Sequence, residues 1–407
     1  MLGNYDIVVF GPSDWWSMNP SCTTHIMRRF AKKNRVLYIN PFSSDMVRAA
    51  KGKKGFVARI GRKVKSIAKC LRQPEKNLYV FSPIFIPLQG RKIIDVINNI
   101  LLKLQLKMVC WVIGISKPIL WLENIRAADI MKYFGTGLKI YHVSDLFADD
   151  SYTTNAYLQH QREQRISDES DLVICVSKEL CTRKQTRRDN VFYIPHGVDF
   201  ELFQEAAHKG QWLKELANVP KPIAGYFGTM TVHNDIEPLL WCARNLPDVS
   251  FVFAGQITGG DYSELGRLNN VYLLGRMPYE KVPQLCACFD VCMLQWKMSE
   301  WIRCCNPLKM FEYMASGKPI VSVPIEEAKQ YSDIISIAYD KEQFAEAIRW
   351  ELQNDTTERA RKRIEIAKNH SWDKHVEKIS ELIENTITTK QSGRFHLASQ
   401  SLGEISR

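Results

Sequence analysis

Short, nearly unbroken apolar runs recur along this chain, and they restrict its fold more than any other feature. YDIVVFG (5–11), RVLYIN (35–40), NLYVFSP (77–83), PILWLE (118–123), LKIYHVSD (138–145) and DLVICVS (171–177) are each four to six apolar residues bounded by polar or turn residues. Strands with one wet face alternate apolar and polar side chains. Strands buried on both faces do not, and parallel sheets supply such strands. Helical stretches such as THIMRRFAKK (24–33) separate the runs, so the pattern is βαβ and the sheet doubly wound.

The pattern then restarts. After VFYIPHGVDFELF (191–203) and a polar helical stretch come PIAGYFG (222–228), VSFVFAG (249–255), NVYLLG (270–275), FDVCMLQ (289–295), PIVSV (319–323) and IISIAY (334–339). A chain of 407 residues is too long for one ordinary core. The expected fold class is α/β, with two Rossmann-like doubly wound domains facing across a cleft. The expected boundaries are 1–203, 204–366, a C-terminal helix over 367–390 returning to the first domain, and a disordered polar tail over 391–407. In open α/β sheets ligands sit beyond the carboxyl ends of the strands, which directs attention to the residues there.

Asn306-Pro307 opens a short helix closed by Gly317, with Asn306 in the N-cap role and Pro307 as first helical residue. First-turn amides without internal partners, together with the helix dipole, favour an anion. Lys309 adds a full positive charge there, and Glu312 offers an acceptor for a pair of hydroxyls one turn on. Phosphate and ribose read from one helix face make a nucleotide-diphosphate site. The same spacing also fits a surface helix with an i,i+3 ion pair. Gly228-Thr229 ends a strand and permits close backbone approach, although two glycines at a strand end commonly make only a turn. Arg276 follows another strand and is either a solvated arginine or a ligand contact. Asp145, beyond LKIYHV, is a candidate general base or a helix cap; His142, Asp149 and Asp150 lie near it. The long aromatic loop 11–30 offers Trp15 and Trp16 for stacking on a sugar or entry into a membrane interface. His25 either reaches an acceptor or sits as a satisfied helix histidine.

Charge and cysteines narrow the setting. Lys and Arg number 55 against 44 Asp and Glu, leaving +11. The excess concentrates in Arg48–Arg72, where apolar residues recur at helical spacing. That segment reads as a basic amphipathic helix on an anionic membrane surface or as a helix with a core-facing stripe. The run Ile93–Ile115 is broken by Asp95, Lys103 and Lys107, so an amphipathic helix is expected there rather than a span. No nucleic-acid module is present, and no CxxC pair has metal-ligand spacing. The eleven cysteines fall mostly in strand-like runs, as reduced buried thiols do. No signal-peptide pattern precedes the first strand. The expectation is a cytoplasmic protein, peripheral on the inner face of the cell membrane, with no metal and no other cofactor.

Four segments in fixed order, IPHGVDFELF, AGYFGTM, NVYLLGRMPYEKVPQL and NPLKMFEYMASGKPIV, carry a family likeness. The second half resembles the donor domain of GT-B-fold glycosyltransferases, similar to glycosyltransferase family 4 (group 1). The form NPLK-x-x-E-Y resembles the GumK/TuaH-like cell-envelope glycosyltransferases. The resemblance implies a sugar moved from a nucleotide-diphosphate donor, a UDP-sugar, to a lipid-linked or growing glycan in exopolysaccharide or cell-envelope polysaccharide synthesis. It implies donor contacts at Arg276, Lys309 and Glu312 and catalysis by Asp145 as base; around these, Gly228, Thr229, Asn306 and Leu308 are the further donor-site candidates and Trp15 and His25 the acceptor-site candidates. The family usually has two Glu seven residues apart. Glu312 matches the second, whereas Cys304 stands where the first belongs. That departure favours inverting over retaining transfer. It also leaves open a degenerate scaffold subunit, or a sugar-nucleotide epimerase of the same architecture.

Overall fold

The computed structural model describes residues 1–41, 70–86, 92–135, 137–146, 156–210 and 213–404. The chain divides into two units. One comprises Met1–Cys175, Lys184–Phe192 and Val376–Arg407; the other comprises Val176–Arg183 and Tyr193–His375. The segment 193–203, placed by sequence with the first domain, thus belongs to the second unit. Its Val198 forms a parallel bridge with Ser371 there.

In the first unit the apolar runs become strands. In chain order the elements as far as Tyr193 are β1 (Asp6–Phe10), α1 (Cys22–Phe30), β2 (Arg35–Ile39), β3 (Leu71–Glu75), β4 (Leu78–Phe81), α2 (Lys92–Ile113), β5 (Ile119–Leu122), β6 (Lys139–Val143), α3 (Ala156–Glu169), β7 (Leu172–Cys175), α4 (Lys178–Gln185) and β8 (Val191–Tyr193); of these, α4 as far as Arg183 falls in the second unit. The sheet order is β3-β4-β2-β1-β5-β6-β7-β8. Pairing is parallel from β4 through β7, with Val8 between Leu37 and Leu120. Burial on both faces explains the missing alternation: β5 and β7 are buried at all four positions. One detail departs from expectation. LRQPE forms an antiparallel edge strand, β3, hairpinned to β4, so Leu71 and Arg72, the end of the basic window, are strand and not helix. The rest of that window, to residue 69, lies outside the described residues, as do Asp149 and Asp150.

The second unit repeats the plan with α5 (Phe200–Lys209), β9 (Ile223–Phe227), α6 (Ile236–Asn245), β10 (Ser250–Ala254), β11 (Val271–Gly275), α7 (Val282–Cys288), β12 (Val291–Leu294), α8 (Glu300–Arg303), α9 (Leu308–Ala315), β13 (Ile320–Ser322), α10 (Glu326–Lys329), β14 (Ser336–Ile337), α11 (Lys341–Asn354) and α12 (Thr357–Asn369). Its six strands run β11-β10-β9-β12-β13-β14, with parallel pairs throughout. The chain turns back beside β9, between β10 and β12, which makes the carboxyl end of β9 a topological switch point. The last helix, α13 (Trp372–Glu404), begins in this unit and belongs to the first from Val376. Residues 391–404, expected as a disordered tail, continue that helix.

Candidate functional site

In the second unit the residues after β9 and the first turn of α9 come together. Gly228 has φ +131°, a conformation L side chains rarely adopt. A Cβ there would lie 2.8 Å from Lys309 Nζ, and a Cβ on Gly255 would lie 1.9 Å from the Gly228 carbonyl oxygen. Glycine at both positions lets the β9 and β10 exits touch and leaves the Lys309 ammonium against bare backbone. The ammonium donates to Tyr226 Oη at 3.2 Å. It also lies 4.6 Å from the Tyr226 ring centre and 4.8 Å from that of Trp296. Aromatic faces and a phenol hold this cation without neutralising it.

α9 begins one residue later than the sequence suggests. Pro307, with ψ 111°, occupies the N-cap position and Leu308 is the first helical residue. Asn306 is therefore no N-cap. Its buried side chain donates to Glu327 Oε2 at 3.4 Å, and its Oδ1 has no partner among the described residues. With a proline at the cap, the N-cap residue makes no side-chain bond to the first-turn amides, so they remain suited to an anion. The other end is as expected. Gly317 has φ +69°, its N–H donates to Met314 O, and Lys318 N–H donates to Tyr313 O, the paired bonds of a Schellman motif. Arg363, fully buried, donates to the Gly317 carbonyl at 2.9 Å and to Asp355 at 2.6 Å.

Glu312 is buried on α9 and accepts from Tyr279 Oη at 3.1 Å. Burial pushes its carboxyl up to about 7; the Tyr279 hydrogen bond and the Lys309 charge pull the other way. A poised acceptor of this kind suits hydroxyl donors. Leu308 is half-buried, Thr229 is exposed, and Arg276 is exposed just beyond Gly275 at the end of edge strand β11. Cys304 is buried, and its thiol is pushed up to about 11 by that burial. At neutral pH it is uncharged and supplies no carboxylate's negative charge.

Sequence reasoning passed over three residues here. Glu327, buried in α10, accepts from Lys178 N, Tyr193 Oη and Gln330 Nε2, each at 2.7 Å. With Asn306 it ties down the loop before α9. Gln295, just past β12, is fully buried, and among the described residues neither of its amide atoms has a partner. Only Trp296, in an apolar run, carried a signal.

In the first unit Asp145 lies two residues past β6, partly exposed, with Oδ1 accepting from Leu146 N at 2.8 Å. Beside it is a group no local motif announced. Glu123, at the end of β5, is fully buried, and its oxygens accept from the hydroxyls of Thr23 and Ser144. His142 Nδ1 is 3.4 Å from Glu123 Oε2 without the geometry of a hydrogen bond. Cys22 Sγ lies 3.9 Å from Oε1. Cys22, Glu123 and His142 place one ligand atom each within 4.8 Å of one another, a donor set that transition metals accept. Both Glu123 oxygens are already engaged by hydroxyls, and burial with the Glu123 charge holds the Cys22 thiol well above its usual range. The arrangement anchors Ser144, the neighbour of Asp145. Trp15 is buried at 5% exposure, edge-on to Tyr38 at 5.0 Å, and bonded through its backbone N–H to Asn40. Trp16 is the exposed member of the pair, with Arg72 4.8 Å over its ring. His25 is buried in α1.

Comparison with known proteins bears on this geometry. Residues 221–354, which hold the β9 exit and α9, match the family model of glycosyl transferases group 1. The chain is 31% identical over 197 residues to the putative teichuronic acid biosynthesis glycosyltransferase TuaH of Bacillus subtilis, across 45% of this chain and 49% of TuaH. The match thus spans about half the length of that relative. Among solved structures, Anabaena HepE in complex with UDP-glucose superposes with TM-score 0.64 at 16% identity, covering 93% of this chain and 99% of HepE. Sucrose-phosphate synthase from Thermosynechococcus elongatus gives 0.67 at 13%, covering 95% and 100%. At such identities the superpositions speak to fold alone. The chain has the GT-B fold, and its residues 221–354 are similar to the glycosyl transferases group 1 family.

Proposed function

We propose that this protein is a glycosyltransferase that moves a sugar from a UDP-linked donor to a lipid-linked or growing glycan in cell-envelope or exopolysaccharide synthesis. The observation that carries the reading is the Lys309 ammonium held against Gly228 beside the uncapped first turn of α9, with Glu312 one turn on. The diphosphate lies on the amides and Lys309, and the ribose hydroxyls donate to Glu312. Leu308, Asn306, Thr229 and Arg276 line the rest of the donor site. TuaH and HepE support the class of substrate: one is named for teichuronic acid biosynthesis, and the other is solved with UDP-glucose.

In the proposed reaction an acceptor hydroxyl oxygen attacks the anomeric carbon. The bond from that carbon to the β-phosphate oxygen breaks, and UDP leaves with the electron pair. Asp145 takes the hydroxyl proton, and configuration inverts. Charge developing on the leaving diphosphate falls on Lys309 and the α9 amides, so this chemistry calls on no metal. The acceptor sits with the first unit near the exposed Trp16, because Trp15 and His25, the acceptor residues expected from the sequence, are both buried; the protein works as a peripheral protein at the cytoplasmic face of the membrane.

Release of UDP from UDP-sugars, with membrane lipid extract as acceptor source, tests the reading. Asp145→Asn should bind UDP as the wild type does and lose roughly 10²–10⁴-fold in turnover. Undiminished turnover in that variant would remove Asp145 from the mechanism.

A further inference from the structure

The first unit carries a surface that neither the donor site nor the fold explains. α2 buries only one side, through Leu102, Leu106 and Val109. Two amides fix that side. Asn98 bonds both the N–H and the carbonyl of Ile86, at 2.7 and 3.0 Å, and Gln105 bonds both those of Ile84, at 2.9 and 2.8 Å. The opposite side is apolar and open. Ile93, Ile97, Ile100, Leu104, Met108 and Trp111 follow one another at spacings of three and four, hence on one face. Ile93 is 76% exposed, Leu104 and Met108 are 59% exposed, and Trp111 is 81% exposed. Isolated surface apolar residues are ordinary, but a continuous stripe over about five turns of helix is not.

We infer that α2 is a docking helix that lies in the headgroup region of an anionic lipid bilayer, with this stripe turned into the acyl boundary. The charges beside the stripe choose lipid over protein. Lys103 and Lys107 flank it, and Asp95 is the one acid in the helix. Lys103 and Lys132 both stand over the half-exposed ring of Tyr133, at 4.0 and 5.3 Å. An apolar face bordered by lysines whose stems reach past it, with Trp and Tyr at its edges, is the composition of an interfacial helix. By length and apolar content Ile93–Ile113 could also cross a membrane. The Asn98 and Gln105 bonds hold its other face on the protein, which a crossing helix would have to surrender. The inference deepens the proposed reading of a membrane-held acceptor and rests on it for the choice of partner.

Co-sedimentation of the full chain with phosphatidylcholine vesicles, with and without 30% phosphatidylglycerol as a chosen probe composition of about that fraction, tests it. UDP titration and light scattering are run on the same preparations. Wild type should bind the anionic vesicles. Leu104→Ser/Trp111→Ser should bind roughly tenfold or more weakly, and Lys103→Glu/Lys107→Glu should lose the preference for anionic lipid, with UDP affinity unchanged in both. Equal vesicle binding by wild type and Leu104→Ser/Trp111→Ser overturns the inference. So does a wild-type dimer that this variant dissociates and that ignores vesicles, since a second copy would then cover the stripe. Vesicle binding that depends on the stripe in a chain that binds no UDP leaves α2 as the docking helix and defeats the donor reading instead.

Discussion

Glu312 shows how much one side chain settles and how it is tested. Its carboxyl, about 4.3 in an unfolded chain, is raised to about 7 by burial. Between those values the folded chain keeps the proton and the unfolded chain releases it, so stability contributed below that window is lost as pH rises through it. Glu312→Gln removes the titration. Relative to wild type it should gain up to roughly 3 kcal/mol between pH 4.5 and pH 8, read from urea denaturation at the two pH values. An offset independent of pH would mean the carboxyl is not held protonated by burial. Lys309 and Glu312 were legible in the sequence because helical spacing and a closing glycine put them on one short helix. Asn306 was misplaced by one position because Pro307 takes extended backbone and caps the helix itself. Glu123 was not legible at all. Its partners Thr23, Cys22 and Ser144 lie 100, 101 and 21 residues away, and only a parallel sheet brings such distances to one strand end.

At the scale of elements, every strand that is a buried apolar run was legible, because burial on both faces dictates its composition. β3 was not. LRQPE is polar, mostly exposed and contains Pro74, a residue tolerated only where a strand's outer edge needs no partner. Asn77, with φ +62°, turns that strand into β4. The extension of the last helix to Glu404 was missed because its polar composition carries no apolar period. The site depends on how sharply α9 is stopped and held. Gly317→Ala places a Cβ on a left-handed residue, 3.2 Å from Ile364 Cδ1. It should cost about 1–2 kcal/mol, seen as a lower urea midpoint with an unchanged slope. A neutral result would mean that Arg363, rather than the glycine turn, sets the end of α9.

For the whole molecule, the two series of apolar runs announced two doubly wound units, and the motif order pointed to the family whose model residues 221–354 match. The exact division was harder to read. The chain leaves the first unit at Tyr193 and re-enters it at Val376, and both changes occur inside segments whose composition is uniform across the boundary. The net charge of +11 pointed to an anionic partner without locating it. The apolar stripe of α2 was visible as a run, but its exposure could be judged only once Leu102, Leu106 and Val109 were seen to take the buried side. The account of the whole rests on one claim, that the β9 exit and α9 form a nucleotide-diphosphate site. Calorimetric titration of UDP, GDP and TDP into wild type and Lys309→Ala tests it most directly. The account predicts UDP binding that weakens by about 1.5–3 kcal/mol in the variant, the worth of a charge-assisted contact to phosphate. Equal UDP affinity in the two proteins, or no nucleotide binding by wild type, would contradict it.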